Sequence, residues 1–216
     1  MGWYTMMIFL QTYGDRILAA MQTHLAYVLV SVGIGLVVAL ILGIILSRVP
    51  QYAQIFLPIL SVFQTIPGIV FIGLLFLVLG MVPITVITAL SIYAVFPILK
   101  NTYTGLLDVD PALIEAAKGC GMSSMETLFE VEVPMALPSI FAGFKMSTIY
   151  TVSWAVLAAM IGLGGLGEFV YIGIYSNNDQ LILAGAIPAA IIAIILSLTI
   201  DALSRVMISK GIRSVE

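Results

Sequence analysis

The chain has one histidine, His24, and one cysteine, Cys120, and neither has a sequence neighbour with which to do covalent chemistry. A nucleophile needs a base in hydrogen-bond reach, and a zinc site needs several Cys, His or acidic ligands at fixed spacing. His24 has no nearby carboxylate or cysteine, which points to an interfacial histidine and to no metal site and no catalytic residue. No G-x-x-x-x-G-K-[ST] run occurs, so the chain has no P-loop to cradle nucleotide phosphates. The spacings that do carry chemistry are those of helix ends in one polar segment, residues 100–138. Asp110 can cap a helix that Pro111 opens, with Val109 and Ile114 placed as a hydrophobic staple. Gly119 and Gly121 supply the stop, and Ser123-Ser124-Met125-Glu126 is a capping box opening a second helix, expected to end by Pro134. A helix–Gly–helix unit with Ala116 and Ala117 leaving its backbone approachable has the chemistry of a docking element.

The elements that must position this segment are set by composition. Of 216 residues, 62% are hydrophobic and only 9% charged, with a mean hydropathy of +1.19. Soluble domains carry about a quarter charged residues, so a water-soluble domain and a disordered chain are excluded. The net charge of −3 offers no basic field for nucleic acid. Each membrane crossing takes about 20 apolar residues, and five such runs are present: 25–46, 53–79, 84–99, one within 139–163, and 181–200. The second is long and interrupted by Pro58 and Pro67, which predicts a kink or irregular segment at Gln64-Thr65-Ile66-Pro67-Gly68. The fold class expected is therefore an all-α integral membrane protein of about five spans, with a helical loop between the third and fourth.

Five spans put the termini on opposite sides. With the C-terminus inside, Arg48, Lys100, Lys118, Arg205, Lys210 and Arg213 are cytoplasmic and Arg16 alone is outside, as basic residues prefer. Residues 1–22 then form an extracytoplasmic N-terminal segment that lacks the apolar core and cleavage site of a signal peptide and fits a short interfacial helix with Trp3, Tyr4 and Tyr13 at headgroup level. Residues 209–216 form a cytoplasmic tail. In the first span Ser31, Gly35, Ala39 and Gly43 recur every fourth residue and allow another helix to approach closely. Lys145 can snorkel to the inner face, and Asp201 has Arg205 one turn away. Both are satisfied charges near a membrane face, and a central carboxylate of the kind an ion-coupled transporter uses is missing. The polar segment holds two basic and six acidic groups, so the six basic and five acidic groups elsewhere leave the membrane body near neutral.

Glu115-Ala116-Ala117, then Gly121, then Val131-x-Val133-Pro134 resembles the EAA signature of bacterial ABC importer permeases, with valines in place of Ile and Leu. Gln64-Thr65-Ile66-Pro67, Lys100-Asn101-Thr102-Tyr103-Thr104-Gly105 and Ile161 to Glu168 resemble the glycine betaine/carnitine/choline permeases, over about residues 20–208. Where such permeases commonly carry Gly-Ile-Arg-Thr, this chain has Gly143-Phe144-Lys145-Met146.

The resemblance implies a type I permease fold in a bacterial cytoplasmic membrane and import of a compatible solute. It implies partner ATPase subunits that hold ATP and Mg, a second permease chain, identical or different, and an extracytoplasmic binding protein. The chain itself, surrounded by lipid, would bind no cofactor. Glu115, Ala116, Ala117, Gly121, Val131, Val133 and Pro134 would be the ATPase-coupling loop. A quaternary ammonium solute suits aromatic faces, which makes Phe63, Tyr93, Tyr150 and Trp154, with Gln64, Thr65 and Pro67, candidates for the translocation path. Gly164, Gly165 and Gly167 fit an outer gate as well as a plain loop. The alternatives are an amino-acid permease of the methionine type and, outside the class, an ion-coupled secondary transporter.

Overall fold

An apolar stretch without internal proline has nothing to stop a helix, and residues 3–48 contain none. In the computed structural model, which describes residues 3–209, they form one helix, α1 (Trp3–Arg48, 46 residues). At about 1.5 Å per residue it is about 69 Å long, twice what a hydrocarbon core of about 30 Å requires. The stretch up to residue 22 is thus a direct helical continuation of the first span. The side chains of Trp3 and Tyr4, expected at headgroup level, lie outside the described residues.

The second run breaks where its prolines and polar residues predict. α2 (Pro50–Phe63) ends at Gln64, Pro67 precedes α3 (Gly68–Leu79), and the two helices meet at 92°. α4 (Pro83–Leu107) follows the Gly80 turn and carries a long buried face. Among the described residues four helices are long and apolar enough to cross a membrane, and the bent α2–α3 pair makes a fifth span if it crosses as one. Residues 100–107 finish α4, so the connector outside the long helices is shorter than the sequence suggests. It holds α5 (Pro111–Gly119) and α6 (Ser124–Thr127).

The second loop helix does not end before Pro134. It passes through a π-turn, Leu128–Glu132, into α7 (Val133–Ala155). The Val133 N–H reaches back five residues to the Leu128 carbonyl. That widened turn places Pro134 in the first turn of α7, where its missing N–H is least costly. A short 3₁₀ stretch, Val156–Ile161, ends α7, and a glycine-rich turn leads to α8 (Gly167–Tyr175) and α9 (Asp179–Met207).

Small residues hold the bundle together. A Cβ on Gly35 would lie 2.8 Å from Ala94 Cβ of α4, and one on Gly43 2.7 Å from Thr102 Cγ2. Ser31 Oγ donates to the Ile87 carbonyl in the same seam. The four-residue stripe of α1 is therefore its contact with α4. α4 meets α7 equally closely: a Cβ on Gly143 would stand 2.6 Å from Asn101 Cβ and 2.8 Å from the Pro97 carbonyl. Ser147 Oγ donates to the Ala94 carbonyl across this interface at 2.8 Å. Large apolar side chains such as Val37, Ile41, Ile187, Ile194 and Leu198 point outward, as lipid-facing residues do.

Candidate functional site

The connector between α4 and α7 is built by local rules. Asp110 accepts a hydrogen bond from Ala112 N at 2.8 Å, with Pro111 behind it. At the other end, Gly121 N donates to the Lys118 carbonyl and Met122 N to the Ala117 carbonyl. This paired closure needs a left-handed residue, and Gly121 supplies it at φ +87°. The Ser123–Glu126 capping box is complete, with both reciprocal bonds present. Glu115, Ala116 and Gly121 are exposed, while Ala117 turns inward and is 8% exposed. Val131 lies in the π-turn, Val133 and Pro134 open α7, and all three are half-buried. One surface of α5 is thus free while the segment's far end is rooted in the bundle.

The root includes an ion pair that sequence reasoning missed. Glu132, 4% exposed, receives Arg48 in a two-pronged pair, with Nη1 to Oε1 at 3.2 Å. Arg48 is the last residue of α1, so the connector is tied directly to the end of the first span. Nothing local signals the pairing, because the partners are 84 positions apart.

The aromatic candidates gather around the break between α2 and α3. Tyr93 packs against Trp154 with ring centroids 3.8 Å apart and planes tilted by 60°, and Phe71 lies edge-on to both Phe63 and Tyr93 at 5.0 and 5.3 Å. The broken backbone is satisfied by side chains: Tyr93 Oη donates to the Ile66 carbonyl at 2.8 Å. Gln64 Nε2 donates in turn to the Tyr93 carbonyl at 2.9 Å. Irregular backbone at membrane depth needs such partners. The cluster is packed, since the pocket lined by Gln64, Tyr93, Tyr150, Thr151 and Trp154 has only about 10 Å³ of room. Thr65 and Pro67 are exposed at the break and Tyr150 on α7, whereas Tyr93 is buried. Phe71 belongs to the cluster and was not among the residues read from the sequence. Its position, one turn after Pro67, is the signal that could have found it.

Next to this cluster is an open cleft of about 340 Å³ lined by Gln64, Phe96, Lys100, Asn101, Thr104 and Tyr150 among others. At the opposite end from α5, Gly162, Gly164 and Gly165 all have positive φ, between 73° and 85°. The turn they form is bound to α1: Tyr27 Oη donates to the Leu163 carbonyl at 3.1 Å, and Arg16 pairs with Glu168 at 3.1 Å. A Cβ on Gly167 would overlap the Val156 carbonyl, so that glycine is required by packing.

Two charge expectations change. Asp201 pairs with Lys145 rather than Arg205, both carboxylate oxygens lying 2.8 Å from Nζ. α7 and α9 face each other there, and a cross-helix contact replaces the local one. His24 does not face outward from the bundle: it is fully buried beside Gly165.

Residues 16–212 match the family model of the binding-protein-dependent transport system inner membrane component. The chain belongs to that family. This transport component is 38% identical over 211 residues to the glycine betaine/carnitine/choline transport system permease protein OpuCB of Bacillus subtilis, covering 98% of this chain and 97% of the relative. It is also 38% identical to the choline transport system permease protein OpuBB of the same organism and to a carnitine transport permease protein of Listeria monocytogenes. Each of these alignments covers 95% of this chain and 94% of the relative. Among solved structures, an inward-facing MetNI methionine ABC transporter chain superposes with a TM-score of 0.77 at 22% identity, over 97% of this chain and 100% of that chain. The fold is therefore that of type I ABC importer permeases.

Proposed function

We propose that the chain is the permease subunit of an ATP-driven importer that brings a compatible solute, glycine betaine, carnitine or choline, across the bacterial cytoplasmic membrane. The observation that carries this reading is the capped helix α5 with Glu115, Ala116 and Gly121 exposed, rooted through Glu132 on Arg48. The names of near-full-length relatives at 38% identity supply the solute class. The likeness to a methionine importer is one of fold and leaves the amino-acid alternative without support of its own.

In this reading α5 lies on the cytoplasmic side with Lys100, Lys118 and the C-terminus, and the N-terminus is outside. The chain works beside a second permease chain, identical or different, two ATPase subunits carrying ATP and Mg, and an extracytoplasmic binding protein. Closure of the ATPases moves α5 as a rigid body. The Arg48–Glu132 pair and the continuous π-turn into α7 pass that movement to α1 and α7 together. Opening would occur along the α4–α7 face, past Phe63, Tyr93, Tyr150 and Trp154, while the Gly164–Gly167 turn closes the outer end. Lipid covers the outward apolar faces.

Gly121→Trp tests the docking role in the reconstituted complex. The bulky side chain at a left-handed position should abolish ATP-driven uptake of radiolabelled glycine betaine while membrane insertion stays intact, with a local strain of about 1–3 kcal/mol at the α5 closure. Normal uptake by this variant would rule the role out.

A further inference from the structure

The cleft between the α2–α3 break, α4 and α7 has an uneven supply of hydrogen-bond donors. Gln64 spends its amide on the Tyr93 carbonyl, Asn101 Nδ2 donates to the Pro97 carbonyl at 2.8 Å, and Thr104 Oγ1 donates to the Lys100 carbonyl at 3.0 Å. The Gln64 and Asn101 amides each use one of their two N–H groups, and two side chains of the lining make no hydrogen bond at all among the described residues: the Lys100 ammonium and the Tyr150 hydroxyl. Lys100 is also the charged group of the cleft. Arg16, Arg48 and Lys145 each hold a carboxylate, whereas Lys100, exposed like Lys118 and Arg205, has none in ion-pair distance among the described residues and is the one of these three that lines the cleft. An ammonium with three donors and no acceptors, in a cleft of about 340 Å³, lacks a counter-ion.

The cleft is also directional. It shares Gln64 and Tyr150 with the packed aromatic pocket of Tyr93 and Trp154. The cation of Lys100 and the exposed ring of Tyr150 therefore line one cleft, beside the packed Tyr93–Trp154 cluster. That pairing is complementary to a small zwitterion, with its carboxylate on the ammonium and its quaternary nitrogen against a ring. We propose that this cleft is an exit station for carboxylate-bearing solutes, in which Lys100 and the Tyr150 hydroxyl hold the carboxylate and the Tyr150 ring faces the quaternary ammonium. The proposal rests on the reading of the chain as a compatible-solute permease and divides that class. Glycine betaine and carnitine use Lys100, and choline, which has a hydroxyl in place of the carboxylate, does not.

The test is equilibrium binding of radiolabelled glycine betaine to the purified, nucleotide-free permease–ATPase complex without the binding protein. Wild type should bind it, and Lys100→Gln should weaken binding by about twofold to fivefold, as loss of one exposed charged contact does. Lys100→Arg should restore most of it. Choline should compete with glycine betaine at least about fivefold less well on the wild-type complex, a readout that needs no variant to fold. Equal competition by choline, unchanged binding by Lys100→Gln, or no binding by wild type would overturn the station. Uptake by the complete importer, measured on the same preparation, separates the two failures. Uptake without a Lys100 effect removes only the station, and no uptake of glycine betaine, carnitine or choline removes the reading it rests on.

Discussion

Single residues decide how closely the helices of this protein approach. Gly143 has no room for a side chain, because a Cβ there would stand 2.6 Å from Asn101 Cβ and press on the α4 backbone. Gly143→Val should therefore destabilise the fold by about 1–3 kcal/mol, the usual cost of overpacking. A lowered midpoint of thermal unfolding in detergent checks this. Gly14→Ala is the control: nothing lies within 4 Å of its Cβ position, and helix propensity favours alanine, so its midpoint should match or exceed wild type. The residue scale is also where sequence reading was strongest. Asp110, Pro111, Gly121 and the Ser123–Glu126 box act within four residues of themselves, so their types and order were enough. His24 shows the opposite case, because its burial depends on the Gly165 turn 141 positions later.

At the scale of elements, the connector matters through its attachments. The lever role proposed for α5 requires that it be joined to more than one span, and the Arg48–Glu132 pair ties its connector to the end of α1 as well. Glu132 is buried and Arg48 half-exposed, so Arg48→Ala leaves a buried carboxylate without its partner. A loss of about 1–3 kcal/mol is expected. Stimulation of ATP hydrolysis by the solute-loaded binding protein should fall in the same variant, and Arg48→Lys should recover part of both. If Arg48→Ala is destabilised but fully stimulated, the pair is structural alone. The boundaries of these elements were less legible than their existence. Pro134 looks like a helix terminator, yet a single π-turn takes it into a continuous helix, and nothing in the local sequence distinguishes the two outcomes. The same limit applies to Asp201, where Arg205 was the nearest base in sequence and Lys145 the nearest in space.

For the whole molecule, hydropathy was sufficient to place the spans, since lipid exposure demands long apolar runs whatever their partners. The small-residue stripe of α1 also marked a packing face, and α4 fills it. What pattern alone could not supply was which face of the bundle becomes the path. The face proposed as the path is made by the 92° break, the aromatic residues around it and the adjoining cleft, which come from three separate stretches of chain. The proposed account is that ATP hydrolysis by partner subunits, acting through α5, drives solute inward past this face. Its most direct test is uptake of radiolabelled glycine betaine into proteoliposomes holding the complete importer, with ATP inside the cytoplasmic-equivalent compartment and all ion gradients collapsed. Accumulation that requires ATP and is lost in Gly121→Trp is expected; uptake that persists without ATP when an ion gradient is imposed would contradict it.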